Sequence, residues 1–326
     1  MRAVVTGGAG FIGSHLIERL LDRGDEVICI EHAGADARWV SGLPIDFRDH
    51  GVEHTAQLRA TIDRADVVFH LAGLTQARRS SDYYAVNTEG TARMLEAASQ
   101  LGSRAPRIIL ASSLAAVGPG QRGKPITLAD VPRPLSHYGR SKLLAEVMMR
   151  AYRDNVPGVI LRLPAVYGPR ERAVLTFFRM VQRGIALTVG EWSREVSMLY
   201  VSDLVDGFLA AASNSDAVGQ TFYLAHPEPL SWRQFADVVA RELDRDPLLV
   251  SVPQTIARLV ALGAEAGALV RRTAAILNRD RIKEIFQPGW VCDVSLAIER
   301  LGFRPRYPLT DGVHATAAWY REAGWI

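Results

Sequence analysis

"TGGAGFIG", residues 6–13, joins two stretches of opposite periodicity. Before it, "AVVT" (3–6) is a short β-branched run that reads as a buried strand. After it, "FIGSHLIERLLDRG" (11–24) repeats Ile12, Leu16 and Leu20 at helical spacing and stops at Gly24. Strand, glycine-rich turn and helix in that order open a doubly wound sheet. Gly7, Gly10 and Gly13 fall in a G-x-x-G-x-x-G pattern. Gly7 permits the tight turn, Gly10 lets a pyrophosphate reach backbone amides, and Gly13 lets the helix lie close on the sheet. The helix N-terminus, at Phe11 and Ile12, offers unpaired N–H groups and a positive dipole end to phosphate. A tight turn without a ligand is the plain alternative, but the flanking strand and helix supply the context that dinucleotide binding requires.

Outward from this unit the alternation repeats. "EVICIE" (26–31), "DVVFHLAG" (66–73), "RIILASS" (107–113) and "GVILRLPAVYGP" (158–169) read as strands, the last running into a loop. "TAQLRATIDRA", "DYYAVNTEGTARMLEAASQLG" (82–102) and "SHYGRSKLLAEVMMRAYRD" (136–154) read as helices. The fold class expected is α/β, a Rossmann-type doubly wound parallel sheet. Beyond about residue 165 the alternation is lost, proline becomes frequent, and "SMLYV" (197–201) is the one further strand-like run. A nucleotide-binding domain is expected over 1–164. A smaller, mostly helical substrate part follows over 165–326, with some segments returning to the sheet.

Composition narrows the classes. At 326 residues, 48% hydrophobic and 22% charged, the chain is of ordinary globular make-up. A net charge of +3 is small for that length, so no nucleic-acid partner is expected. Cys29 and Cys292 are far apart, in no metal-spaced cluster, and read as buried free thiols. His15, His50, His54, His70, His137, His226 and His314 fall at no ligand spacing, so no metal is expected. "MRAVVTGG" enters a strand directly, without a leader, and the apolar "IARLVALGAEAGALV" is broken by Arg258 and Glu265. A cytoplasmic protein with no integral membrane segment is the expectation.

Two further positions carry chemistry. Glu31 ends the second strand, where a carboxylate can accept from adenosine ribose hydroxyls and repel a 2′-phosphate. That favours NAD over NADP, although His32 and Arg38 are near, and an arginine can accommodate the phosphate. In "HYGRSK" (137–142), Tyr138 and Lys142 are four apart and share a helix face. A free tyrosine is a poor base at neutral pH, and an adjacent ammonium stabilises its phenolate. Ser112 and Ser113 end the neighbouring strand, at the carboxyl edge where ligands bind in such sheets. Ser136 can cap the same helix, which is the purely structural reading of this stretch.

In order, the glycine pattern, "HLAG", "NTEGT", "ASSLAAVG", "YGRSK", "RLPAVYGPR" and "CDVSLAIERLGFRP" are similar to the motifs of extended short-chain dehydrogenases/reductases. This group is also called the NAD-dependent epimerase/dehydratase family, and the resemblance covers nearly the whole chain. It implies NAD as cofactor, Tyr138 as catalytic acid/base, Lys142 on the nicotinamide ribose, and Ser113 orienting the substrate oxygen. It implies that Gly7, Gly10, Phe11, Ile12 and Gly13 hold the pyrophosphate, while Asp46 and Phe47 flank the adenine. Leu71, Ala72, Gly73 and Asn87 would line the cofactor, with Leu163, Pro164 and Ala165 near the nicotinamide. Thr75, Tyr167 and Arg170 would join Ser113 and Tyr138 around a small-molecule substrate. A homodimer packed through helices 82–102 and 136–154 is also implied.

Departures from the family's patterns suggest the branch. The 4,6-dehydratases follow the catalytic hydroxyl residue with an Asp-Glu pair, where this chain has Leu114 and Ala115. Sugar-nucleotide epimerases grip a diphosphate with an asparagine and arginines; here Ala165, Val196 and "QPGW" stand at those places. Each charged hydrogen bond to phosphate is worth about 1.5–3 kcal/mol, so losing three weakens such binding severely unless Arg170, Arg172 or Arg194 substitutes. Phe177, Phe178, Leu259 and Leu262 offer either a lipophilic pocket or a small core of their own. "SSLAAVGP" resembles the 3β-hydroxysteroid dehydrogenase-like branch. The expected reaction is NAD-linked interconversion of a secondary alcohol and a ketone, with a sugar-nucleotide epimerase as the alternative. A non-catalytic NAD-binding protein stays as a third reading, against which Ser113, Tyr138 and Lys142 all speak.

Overall fold

The computed structural model describes residues 1–257, 259 and 283–326. With strands numbered in chain order, β1 (Arg2–Thr6) lies between β2 (Glu26–Ile30) and β4 (Val67–His70). The edge strand β3 (Asp46–Arg48) follows β2, while β5 (Arg107–Ser113), β6 (Gly158–Leu163) and β11 (Thr221–Tyr223) extend the sheet on the other side. Among the described residues the sheet has seven strands in the order β11-β6-β5-β4-β1-β2-β3, all parallel. The winding reverses between β1 and β4, which opens a crevice at their carboxyl ends. Both faces are covered, so β1 and β4 are buried almost end to end and read as unbroken apolar runs.

On one face α1 (Phe11–Asp22) and α7 (Val201–Ser213) bury Leu16, Leu20 and Phe208 against Phe69 and Ile109. On the other, α2 (Thr55–Ile62), α4 (Gly90–Ser99) and α5 (His137–Ala151) bury Leu58, Met94 and Ala145 against Val68 and Ile108. The stop signalled by Gly24 is realised at φ 78°: its N–H reaches Leu21 O at 2.8 Å and that of Asp25 reaches Leu20 O at 3.0 Å. Those two bonds satisfy carbonyls that the helix end would otherwise leave open.

The helix expected over 82–102 is broken in three: α3 (Ser80–Tyr83), a π-helical stretch Tyr84–Glu89, then α4. After residue 165 there are more strands than the single run expected. β7 (Ala165–Tyr167) pairs with β10 (Met198–Tyr200), β8 (Ile185–Val189) with β13 (Leu248–Val252), and β9 (Glu195–Val196) with β12 (Leu230–Ser231). Most are too short for periodicity to register. They accompany helices α6 (Arg172–Gln182), α8 (Trp232–Glu242), α9 (Ser295–Leu301) and α10 (Leu309–Glu322).

An aromatic core holds this part together. Phe178 meets Tyr320 edge-on at 5.2 Å and Phe177 packs on Phe235 at 5.3 Å. Both phenylalanines are therefore core residues, not pocket lining. Leu259 is 68% exposed, while Arg258, Leu262 and Glu265 lie outside the described residues. Among the described residues no helix is long and apolar enough to cross a membrane.

Candidate active site

Gly7 sits at φ 71°, and a Cβ there would stand 2.8 Å from Ala72 N, so only glycine lets the first turn press on the loop after β4. A Cβ on Gly13 would lie 2.3 Å from Gly7 O, which fixes how closely α1 approaches the turn. The Ser14 N–H bonds Gly10 O at 3.0 Å as the first bond of the helix, leaving the N–H groups of Phe11, Ile12 and Gly13 at its open end. That end carries neither a capping side chain nor an acidic residue in its first turn. This glycine-walled, positively polarised end fits a pyrophosphate. At the tip of β2 the buried Glu31 accepts the Ala9 N–H at 2.8 Å, and burial raises its carboxyl pKa. On the edge strand Phe47 is 40% exposed, while Asp46 is paired with Arg48 at 2.7 Å.

Beneath the crevice runs a buried polar chain. Thr6 Oγ1 accepts from Ala72 N–H at 3.1 Å and donates to His70 Nδ1 at 2.8 Å. His70 Nε2 then donates to Thr91 Oγ1 at 3.0 Å, and Thr91 to Asn87 O at 2.7 Å. The imidazole is neutral: burial, then the nearby Lys142 charge, push its pKa down to about 3. "HLAG" was recognisable as a motif, but nothing in the sequence assigned His70, Thr6 or Thr91 this task. Their only signal is that they are polar in segments otherwise reading as buried.

The candidate catalytic residues lie at the end of β5 and on the first turns of α5. Ser136 Oγ accepts the Gly139 N–H at 2.9 Å and starts α5 as its type suggested. A Cβ on Gly139 would be 2.3 Å from Ala115 O, so the helix start lies directly on the turn that follows Ser113. Ser113 Oγ accepts from Ala115 N–H at 3.1 Å and keeps its own proton to donate. Lys142 is 6% exposed and donates to Ala111 O at 3.0 Å; burial lowers its pKa to about 8, against the opposing pull of Glu146. A Cβ on Gly73 would fall 2.9 Å from Lys142 Nζ and 3.0 Å from Asn87 Oδ1, so these three residues converge.

Asn87, on the π-helical stretch, accepts from Leu74 N–H at 2.8 Å and donates to Ser141 Oγ at 2.9 Å, pinning the loop after β4 to α5. The Tyr138 ring lies 6.1 Å from that of Tyr83. Ser113 and Leu163 are register partners, which puts Pro164 and the exposed Ala165 beside the serine. Thr75 is exposed in the loop that follows Gly73 and Leu74.

Other expected substrate contacts are engaged elsewhere. Tyr167 is buried against Tyr200 and Phe235, with ring centroids at 5.7 and 6.2 Å, and burial raises its hydroxyl pKa. Arg170 donates to Glu18 at 2.6 Å and lies 5.3 Å over the Trp39 ring. Their motif "RLPAVYGPR" could not show that the aromatic core and α1 would claim these side chains. Arg172 lies 5.8 Å over Trp325, and Arg194 donates to Val189 O at 2.6 Å and to Ile285 O.

Residues 3–225 match the model of the NAD dependent epimerase/dehydratase family. The chain belongs to this family. NAD is accordingly its cofactor, and the glycine turn, the open α1 end and the Lys142–Asn87–Gly73 cluster are the parts that fit it. Its relatives include a ceramide reductase of Caulobacter vibrioides, 26% identical over 99% of this chain and 95% of that protein. A 3 beta-hydroxysteroid dehydrogenase/Delta 5-->4-isomerase of Mycobacterium tuberculosis is 29% identical, covering 72% of this chain and 67% of that one. In fold the chain is similar to a UDP-glucose 4-epimerase of Thermotoga maritima, with a TM-score of 0.81 at 22% identity over 99% of both chains.

Proposed function

We propose that the protein interconverts a secondary alcohol and a ketone on a substrate that is not a nucleotide. The observation that carries this reading is the fate of the three candidate diphosphate anchors. Arg170 turns onto Glu18 and the Trp39 ring, Arg194 donates through two of its nitrogens to backbone carbonyls, and the exposed Arg172 lies over the Trp325 ring. Ala165 and Val196 add no donor side chain. The relatives named ceramide reductase and hydroxysteroid dehydrogenase support the same reading.

In this mechanism the Ser113 hydroxyl donates to the reacting oxygen and holds it. Tyr138, as the phenolate that the Lys142 ammonium stabilises, takes the substrate's hydroxyl proton on Oη as the carbonyl forms and becomes the neutral phenol. Bound NAD supplies the acceptor for the hydride that leaves the carbinol carbon. In the reverse direction Tyr138 returns the proton to the nascent alkoxide.

A sugar-nucleotide epimerase is the second reading, supported by relatives such as the UDP-glucose 4-epimerase of Vibrio cholerae, 26% identical over 98% of this chain. The two part in a direct assay with NAD and a panel of hydroxysteroids, long-chain secondary alcohols and UDP-, GDP- and dTDP-sugars. Stoichiometric NADH on a non-nucleotide alcohol is expected, and Tyr138→Phe should lower turnover about 10²–10⁴-fold with NAD affinity kept. A sugar nucleotide epimerised without net NADH would overturn the proposal.

We also infer a homodimer packed through α5, on which Leu144 and Val147 are 40% and 44% exposed on a largely apolar flank. A cytoplasmic setting suits the two buried free thiols, Cys29 and Cys292.

A further inference from the structure

Behind the proposed catalytic residues, one carboxylate joins the two elements that carry them, α5 and β5, to the neighbouring β6. Glu146 lies one turn after Lys142 on α5 and is fully buried. Its Oε1 accepts from Ser112 Oγ at 2.6 Å and from Arg162 Nε at 3.0 Å. Its Oε2 accepts from Arg162 Nη2 at 2.8 Å and from Arg150 Nη2 at 2.9 Å. Ser112 is the residue before Ser113 on β5, Arg162 is the residue before Leu163 on β6, and the two are register partners. Arg162 reaches on to Tyr223 Oη on β11 at 2.9 Å, and Tyr223 donates to Thr127 O at 3.2 Å. With four donors on two oxygens, the carboxylate has no freedom to turn.

A buried ion pair is poor glue. Replacing one by apolar side chains of similar volume is often neutral or stabilising, so the pair's presence calls for a role other than stability. The neighbour with most to gain is Lys142, whose ammonium is buried and costly to keep. The groups facing Lys142 are Glu146 from α5, the neutral His70 from β4, the Asn87 amide from the π-helical stretch and the Ala111 carbonyl from β5, with Tyr138 one turn earlier on the same helix. Of these, Glu146 is the one that brings a negative charge resting on its own set of donors.

We propose that Glu146 is a positioning residue, which sets the height of α5 against the ends of β5 and β6 and holds Lys142 in its charged form beside Tyr138. The proposal rests on Tyr138 and Lys142 being the acid–base pair of the proposed reaction. Burial and Glu146 pull the Lys142 pKa in opposite directions, with burial ahead.

The chain contains only three lysines, Lys124, Lys142 and Lys283, so ¹³Cε-lysine labelling of the full chain gives three NMR signals whose pH transitions can be followed one by one. Lys142→Arg assigns the buried one. In Glu146→Gln the Lys142 transition is expected to fall by about half a unit or more, because the ammonium loses its counter-charge. An unchanged transition overturns the proposal. Should Glu146→Gln fail to fold, Glu146→Gln/Arg162→Met leaves no buried guanidinium unpaired and is read the same way.

Ser112→Ala tests the positional half, since it cuts the tie to β5 and keeps the carboxylate. Its Lys142 transition should stay in place, while kcat falls several-fold and KM for NAD holds. Wild-type kcat in that variant would also overturn the proposal. If no alcohol is turned over by the unmodified protein, the reaction assignment fails, and the NMR titration still decides whether Glu146 holds the lysine.

Discussion

His70 shows what a single buried side chain does to the molecule's pH response. Its pKa is pushed from 6.5 to about 3 in the fold, so on acidification the unfolded chain takes up a proton that the folded chain refuses. The contribution to stability is complete above the unfolded value and drains away as pH falls from 6.5 towards 3. The slope across that window approaches about 1.4 kcal/mol per pH unit. Urea unfolding should therefore show wild type losing stability between neutrality and mild acid more steeply than His70→Gln. Parallel curves for the two proteins would mean that the imidazole is not neutral in the fold.

Elements were legible in the sequence where one physical signal dominated. β1, β4 and β5 are buried on both faces and announce themselves as unbroken apolar runs. α1 carries both its periodicity and its Gly24 stop, and its seat on the sheet is equally plain. The Cβ of a Gly13→Ala variant would press on the Gly7 carbonyl from 2.3 Å, and rigid backbone on both sides leaves little room to yield. NADH fluorescence titration is expected to show affinity lost by at least about tenfold, equivalent to 1.4 kcal/mol. Unaltered affinity would mean that α1 can shift without disturbing the phosphate cradle.

The π-helical stretch Tyr84–Glu89 left no trace, because its signature is a hydrogen-bond register and not a residue pattern. It matters for the site, since Asn87 reaches both Leu74 and Ser141 from it. The pairings of β7 with β10 and of β9 with β12 were invisible because runs of two or three residues carry no period. At the site itself, residue type and spacing put Tyr138 and Lys142 on one helix, whose start lies directly on the turn that follows Ser113. The same reasoning could not foretell where Tyr167 and Arg170 would turn, because that depends on Phe235, Trp39 and Glu18 from distant parts of the chain.

At the scale of the whole molecule, the flank of α5 bearing Leu144 and Val147 is the proposed meeting place of two copies. Leu144→Glu/Val147→Glu should sediment as a monomer at concentrations where the wild type is dimeric, with the sheet's circular dichroism retained. A wild-type protein that sediments as a monomer would remove that interface from the picture.

The last strand of the central sheet, β11, is contributed by residues 221–223, long after β6 ends at residue 163. During synthesis the edge of β6 must therefore wait, unpaired, while α6, α7 and the short strand pairs are made. An open edge of that kind invites pairing with another chain. A fragment ending at residue 164 would keep every glycine of the cofactor turn yet carry that edge permanently. The protein's two halves thus share one deadline on the ribosome: the sheet that carries the cofactor turn is finished only by a segment from the half proposed to shape the substrate side.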